Sequence, residues 1–238
     1  MARHGNQDSA QTRSQILQAA LHCFARNGYQ GASIQEIVTA ARVTKPALYY
    51  YYPSKAALYR ALTDQAYDER DRMIAGALEG ARTVVEKLRR VAGVVFQFSQ
   101  DTRDLTRLCF SMAFAAEGEI PEGVGNIERG KQFFDSIAAL VAEGQDNGEL
   151  SREFPCEELA FNIYGTMITQ VMVNALMPAY TLDDQKAGAA VDIFIKGAGA
   201  RKAGRCSPRK TEHAPHIQRR PQKRHSTGTF SSPNHPSS

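Results

Sequence analysis

Several things are missing from this chain of 238 residues. It has no uninterrupted apolar run near the ~18 residues that cross a bilayer, so no membrane span is expected. The N-terminus, Met1 to Asp8, is polar and carries no apolar stretch, so no secretory signal is expected either. Its four cysteines, Cys23, Cys109, Cys156 and Cys206, are far apart and form no Cys-x-x-Cys pair. That excludes a disulfide framework or zinc module and fits a reducing, cytoplasmic setting. Four of the six histidines lie beyond residue 200, and the spacing His213-x-x-His216 there is too weak a signal for a structural metal. A Gly-rich phosphate loop, a nucleophile elbow and a metalloprotease motif are all absent. The acidic pairs Glu157-Glu158 and Asp183-Asp184 fall at expected helix starts, where complementing the helix dipole accounts for them. An enzyme is therefore disfavoured, and no cofactor is implied.

What is present is an uneven charge. Residues 1–60 hold 7 basic and 2 acidic side chains, residues 61–200 hold 13 and 22, and residues 201–238 hold 9 and 1. The blocks carry +5, −9 and +8, which together give the net +4. A basic head on an acidic body is the layout of a polyanion-binding unit attached to a regulatory one. The last block has five of the ten prolines and only Ile217 and Phe230 as large apolar side chains. It cannot bury enough surface to offset ordering entropy and is read as a disordered tail.

Helical periodicity runs through the rest. Ile16, Leu17, Ala20, Leu21 and Phe24 share one face after Thr12, and Gly28 marks a stop. Ser33 with Glu36 forms a capping box for a short helix over 33–41. Arg42-Val43 reads as a turn. Thr44 opens a third helix with Pro46 in its first turn, Pro53 ends it, and Ser54 opens a fourth. Further helices are expected over 82–100, 103–116, 124–144, 156–178 and 183–199, and no segment alternates with period two. The fold class is all-α.

The helices 33–41 and 44–52 make a helix-turn-helix. At 100° per residue, Leu48 and Tyr52 face inward, and Pro46 and Tyr50 lie opposite, flanked by Lys45, Ala47, Tyr49 and Tyr51. A cation, small groups and phenols suit a major groove and its phosphates. Lys55, in the first turn of the next helix, is placed to reach a phosphate.

The block from Thr12 to about Leu58 resembles the tetracycline-repressor (TetR) family of bacterial regulators. The residues that carry the resemblance are Thr12-Arg13, Ile16-Leu17, Ala20, Phe24, Gly28-Tyr29, Ser33-Ile34, Glu36-Ile37 and Ala41-x-Val43. The most specific stretch is Thr44-Lys45-Pro46-Ala47-Leu48-Tyr49-Tyr50-Tyr51-Tyr52-Pro53-Ser54-Lys55. The resemblance implies that Ser33 and Gln35 open the supporting helix near DNA. It also implies that Thr44, Lys45, Pro46, Ala47, Tyr49 and Tyr50 line the recognition helix, and that Tyr51 and Lys55 hold phosphates. Tyr52 departs from the family's usual Phe, so its hydroxyl needs a partner or exposure. The implied organisation is a disordered 1–11, a three-helix DNA-binding domain over 12–58, a helical ligand-binding and dimerisation domain over 59–200, and a basic tail over 201–238. The implied activity is that of a dimeric operator-binding regulator, a repressor released by a small ligand. The alternatives are an activator and a regulator that answers to a protein.

Within the body, helix 156–178 is apolar on nearly every side and carries a polar stripe, Asn162, Thr166, Gln170 and Asn174. The stripe reads as a pocket wall or as a dimer seam, against a partly solvated edge. Phe96, Cys109, Met112, Phe134, Asn162, Thr166 and Gln170 are the expected pocket residues, and Met172, Val191 and Phe194 the expected dimer residues. Close packing of a core uses the same residue types. The body's −9 charge points to a neutral or cationic, largely apolar effector.

Overall fold

Four hydroxyls set the helix starts. The Ser33, Thr44, Ser54 and Thr83 side chains accept from the backbone N–H groups of Glu36, Ala47, Ala57 and Glu86. Each satisfies a donor that the first turn cannot pair itself. Glu36 completes the box by accepting from the Ser33 N–H at 3.1 Å. Arg42, the C-cap of the second helix, sits in the left-handed region at φ 55° and makes the tight turn into the third.

The computed structural model describes residues 2–115, 127–177 and 179–198, with side chains from Ser9 onward. Among the described residues there are nine helices: α1 (Ala2–Gly31), α2 (Ile34–Ala41), α3 (Lys45–Tyr51), α4 (Lys55–Leu78), α5 (Val84–Asp101), α6 (Arg103–Ala113), α7 (Ile127–Asp146), α8 (Cys156–Leu176) and α9 (Asp184–Ala198). The first differs from expectation: it starts at Ala2, so residues 2–11 are helical rather than a disordered lead. Gly28 does not end it but kinks it, with φ 70°, a conformation glycine adopts without cost. The basic tail lies outside the described residues.

Two apolar cores organise the chain. The first joins Ile16, Ala20 and Phe24 of α1, Ile37 of α2, Leu48 of α3 and Leu58 and Tyr59 of α4. Phe24, Tyr29 and Tyr59 form a ring triad with centroids 5.5–5.7 Å apart. Leu105, Leu108 and Met112 of α6 also enter this core, so a helix from the body's stretch of sequence packs on the head. The second core joins α5, α7, α8 and α9 through Leu88, Phe96, Ile137, Ile163, Met167, Val191 and Phe194. Gly144 permits the close passage of α7 over Leu150, where an added Cβ would stand 2.8 Å from the leucine side chain.

By length and a mean hydropathy of 1.2, α8 is long and apolar enough to cross a membrane. That measure differs from the expectation that no segment would be. Ile163 and Met167 are fully buried in the second core, and packing there accounts for much of the apolar character.

Candidate nucleic-acid interface and ligand cavity

The seven residues of α3 hold on to the head through Leu48, the only one of them that is fully buried. The opposite side is open. Lys45 and Pro46 are exposed, Tyr49 is 46% exposed and Tyr50 83% exposed. Tyr50 stands edge-on to Tyr51, with ring centres 5.0 Å apart. Ser33, Gln35 and Thr44 are exposed at the ends of α2 and α3, and Ala47 is half-buried. The Ser33 and Thr44 hydroxyls are occupied as helix caps. The Tyr51 hydroxyl donates to Ser9 Oγ at 3.2 Å, which ties α3 to the first turns of α1.

Lys55 does not do what the sequence implied. Its ammonium donates to the carbonyls of Tyr29, Gln30 and Ala32 at 2.9, 3.3 and 3.1 Å and lies 4.7 Å from the centre of the Tyr29 ring. All three N–H donors are spent on the carbonyls around the end of α1, leaving none for a phosphate. Burial lowers its pKa from the ordinary lysine value. Tyr52 is buried, and its hydroxyl has no hydrogen-bond partner among the described residues.

A second feature lies where the two cores meet. A cavity of about 720 Å³ is walled by Leu105 and Met112 from the first core and by Val95, Phe133 and Val171 from the second. Helix α4 contributes Ala66, Tyr67 and Arg70. Of the expected pocket residues, Cys109, Met112 and Phe134 line it. Phe96 does not, because it points the other way into the second core with no exposure. Asn162, Thr166 and Gln170 do not line it either. Asn162 is exposed, Thr166 donates back to the Asn162 carbonyl at 2.8 Å, and Gln170 accepts from the Tyr180 hydroxyl at 3.2 Å. Helix α8 instead offers Phe161, Tyr164 and Ile168 to the cavity.

Tyr67 and Arg70 were not anticipated. They stand one turn apart on α4, and that spacing beside Ala66 was the available signal. Tyr67 is hydrogen-bonded to Cys109; burial raises the Tyr67 hydroxyl above its ordinary pKa and pushes the Cys109 thiol up to about 11. Arg70 rests on the Phe133 and Tyr67 rings, 4.6 and 4.9 Å from their centres. Among the described residues the cavity's charged lining is Arg70 and Lys131, which are paired with Asp71 and Asp135. The expectation of a neutral or cationic ligand came from the body's net charge, which acts over distances that salt screens, whereas the lining acts at contact.

The dimer residues divide. Val191 and Phe194 are buried in the second core of this chain rather than on its surface. Met172 is half-buried. The large apolar side chains left outward on the last two helices are Phe161, 54% exposed and also at the cavity's edge, Leu176, 68% exposed, and Ile193, 72% exposed.

A helix-turn-helix head on an all-helical body that holds an apolar cavity defines a DNA-binding regulator. Residues 16–62 match the bacterial regulatory proteins of the tetR family. The chain is 30% identical over 155 residues to the HTH-type transcriptional regulator RutR of Escherichia coli K12, covering 63% of this chain and 69% of that protein. It is also 30% identical over 122 residues to the HTH-type transcriptional activator FasR of Mycolicibacterium smegmatis, covering 50% of this chain and 54% of that protein. The fold matches that of the fatty acid degradation regulator FadR of Bacillus halodurans with a TM-score of 0.67 at 20% identity, over 77% of this chain and 98% of that one. The chain belongs to the tetR family and is a DNA-binding transcriptional regulator.

Proposed function

We propose that the chain acts in the bacterial cytoplasm as a homodimeric repressor that leaves its operator when a small, largely apolar molecule fills the cavity. The supporting observation is the cavity's position between the two cores. A ligand there presses on α4 through Tyr67 and on α6 through Met112, and both helices also carry side chains of the head core. Helix α4 is about 36 Å long at 1.5 Å per residue, so a small tilt at Tyr67 is carried to Leu58 and Tyr59 beneath α3.

Operator contact is assigned to the outward side of α3, with Lys45, Tyr49 and Tyr50 reaching bases and phosphates. Pro46 and Ala47 shape the surface, and Ser33, Gln35 and Thr44 face the backbone at the helix starts. Tyr51 can accept but has already spent its proton on Ser9. A single seven-residue helix reads few bases, so two are paired with centres ~34–36 Å apart, or a multiple of that. The pairing surface is the outward side of α8 and α9, through Asn162, Thr166, Met172, Leu176 and Ile193. Ligand release is then a population shift: a ~100-fold preference for the state with mismatched spacing supplies about 2.7 kcal/mol.

A second reading, activation, is favoured by the name of the FasR relative. Deleting the gene and following reporters fused to flanking promoters separates them. Expression rises on deletion for a repressor and falls for an activator.

A further inference from the structure

Arg70 has more hydrogen-bonding capacity than the described residues use. Its Nε and Nη2 both donate to one oxygen of Asp71, at 3.0 and 2.7 Å. A guanidinium has five N–H donors in a rigid plane. Nη1 has no hydrogen bond among the described residues, although the side chain is only 12% exposed. Its guanidinium carbon lies 4.6 and 4.9 Å from the centres of the Phe133 and Tyr67 rings. Nη1 is not fully buried, so this edge of the guanidinium is open to an acceptor that enters the cavity. Among the described residues no carboxylate lines the cavity. Asp71 is itself shared, with an oxygen 3.7 Å from Arg129 Nη1. Around Arg70 the walls are apolar and aromatic, as a hydrocarbon chain requires: Phe98, Phe110, Phe134, Phe161 and Ile168. The volume, about 720 Å³, falls in the range of small-ligand sites.

We infer that the effector is an amphiphilic carboxylate whose head group binds the open edge of Arg70 and whose chain fills the aromatic cavity. The planar fork of Arg70 pairs with a carboxylate by two parallel N–H···O bonds, which a neutral or cationic head cannot accept in that way. This rests on the proposed ligand role of the cavity and names the class of molecule it takes. Because Arg70 belongs to α4, the head group engages the helix that enters the head core.

The test uses the full chain and three probes of one chain length, each below its micelle concentration at pH 8: dodecanoate, dodecan-1-ol and dodecylammonium. Calorimetry is expected to rank dodecanoate first. Arg70→Gln should weaken dodecanoate roughly 10- to 100-fold and leave dodecan-1-ol unchanged. Asp71→Asn, which keeps Arg70 and removes its competing partner, should tighten dodecanoate; this arm stands even if Arg70→Gln does not fold. Ile168→Trp should exclude dodecanoate by filling the cavity. Equal binding of dodecylammonium, an Arg70→Gln effect no larger on dodecanoate than on dodecan-1-ol, or no binding of dodecanoate overturns the carboxylate assignment. The same samples are run against operator DNA. Arg70-dependent dodecanoate binding that leaves operator affinity unchanged refutes ligand-controlled release and leaves the carboxylate assignment standing.

Discussion

Helix α3 and the cavity are both rich in aromatic rings, and they use them in opposite directions. In α3 the rings of Tyr49 and Tyr50 point to solvent from a helix fixed by one leucine. In the cavity Phe133 is buried in the second core, and Phe133 and Tyr67 close over a guanidinium. An exposed phenol beside a cation has an apolar face and a polar tip for a wet, charged partner. A ring that faces a void offers contact area to something that leaves water. Leu58 and Tyr59 beneath α3 share the first core with Leu105, Leu108 and Met112, of which Leu105 and Met112 also wall the cavity.

The sharpest way to break this comparison is to delete one ring from each side. Phe133→Ala should cost about 3–5 kcal/mol of stability, as for a large ring lost from a core. Tyr50→Ala should stay within about 0.5 kcal/mol, since its ring covers nothing buried. Chemical denaturation of both variants checks this, and equal losses would mean that α3 packs on something of its own chain. Next in size is Lys55→Met. Removing three charge-assisted bonds to carbonyls should cost about 1–3 kcal/mol. The slope of operator affinity against salt should stay as it is, whereas a lost phosphate contact would make it shallower by about 1. Tyr52→Phe should be neutral or stabilising by up to about 1 kcal/mol, because it removes a buried hydroxyl with no partner among the described residues. The smallest effect concerns Cys109. Burial raises its thiol to about 11, so the folded chain keeps a proton that the unfolded chain releases near pH ~8.5. The folded state therefore loses stability as pH rises from ~8.5 towards about 11. At pH 8 iodoacetamide should modify Cys109 more slowly in the folded chain than in the denatured one, as read by peptide mass spectrometry.

How far these regions were legible in the sequence follows from how local their determinants are. Ser33, Glu36, Thr44, Pro46, Pro53 and Ser54 act within one turn of themselves, so the head's helices and turns could be read directly. Lys55 could not, because its acceptors at Tyr29, Gln30 and Ala32 lie 26, 25 and 23 residues away. In the body, helices were legible from periodicity, but their facing was not. The stripe Asn162, Thr166, Gln170, Asn174 looks continuous at a spacing of four. Each such step overshoots a 3.6-residue turn by about 40°, so three steps rotate it by about 120°. Asn162 is accordingly exposed, while Asn174 is buried and donates to Gln100 and to the Tyr180 carbonyl, each at 2.7 Å. Val191, Ile193 and Phe194 are alike in character, and only the packing of α9 on α5 and α8 decides that Ile193 is the one left outward. Arg70 was hidden for another reason: a charged residue on a long helix normally signifies a solvated side, and the rings that cover this one include Phe133, on another helix far along the chain.

The central claim is that the outward side of α3 holds the operator. The most direct measurement is a shift assay with the full chain on a duplex selected from random sequence, comparing Lys45→Ala and Tyr50→Ala with the unsubstituted protein at fixed salt. The account predicts that each variant keeps its melting temperature and loses operator affinity roughly 10-fold or more, with Lys45→Ala also changing which duplexes are selected. Affinity and selected sequence unchanged in both would contradict it.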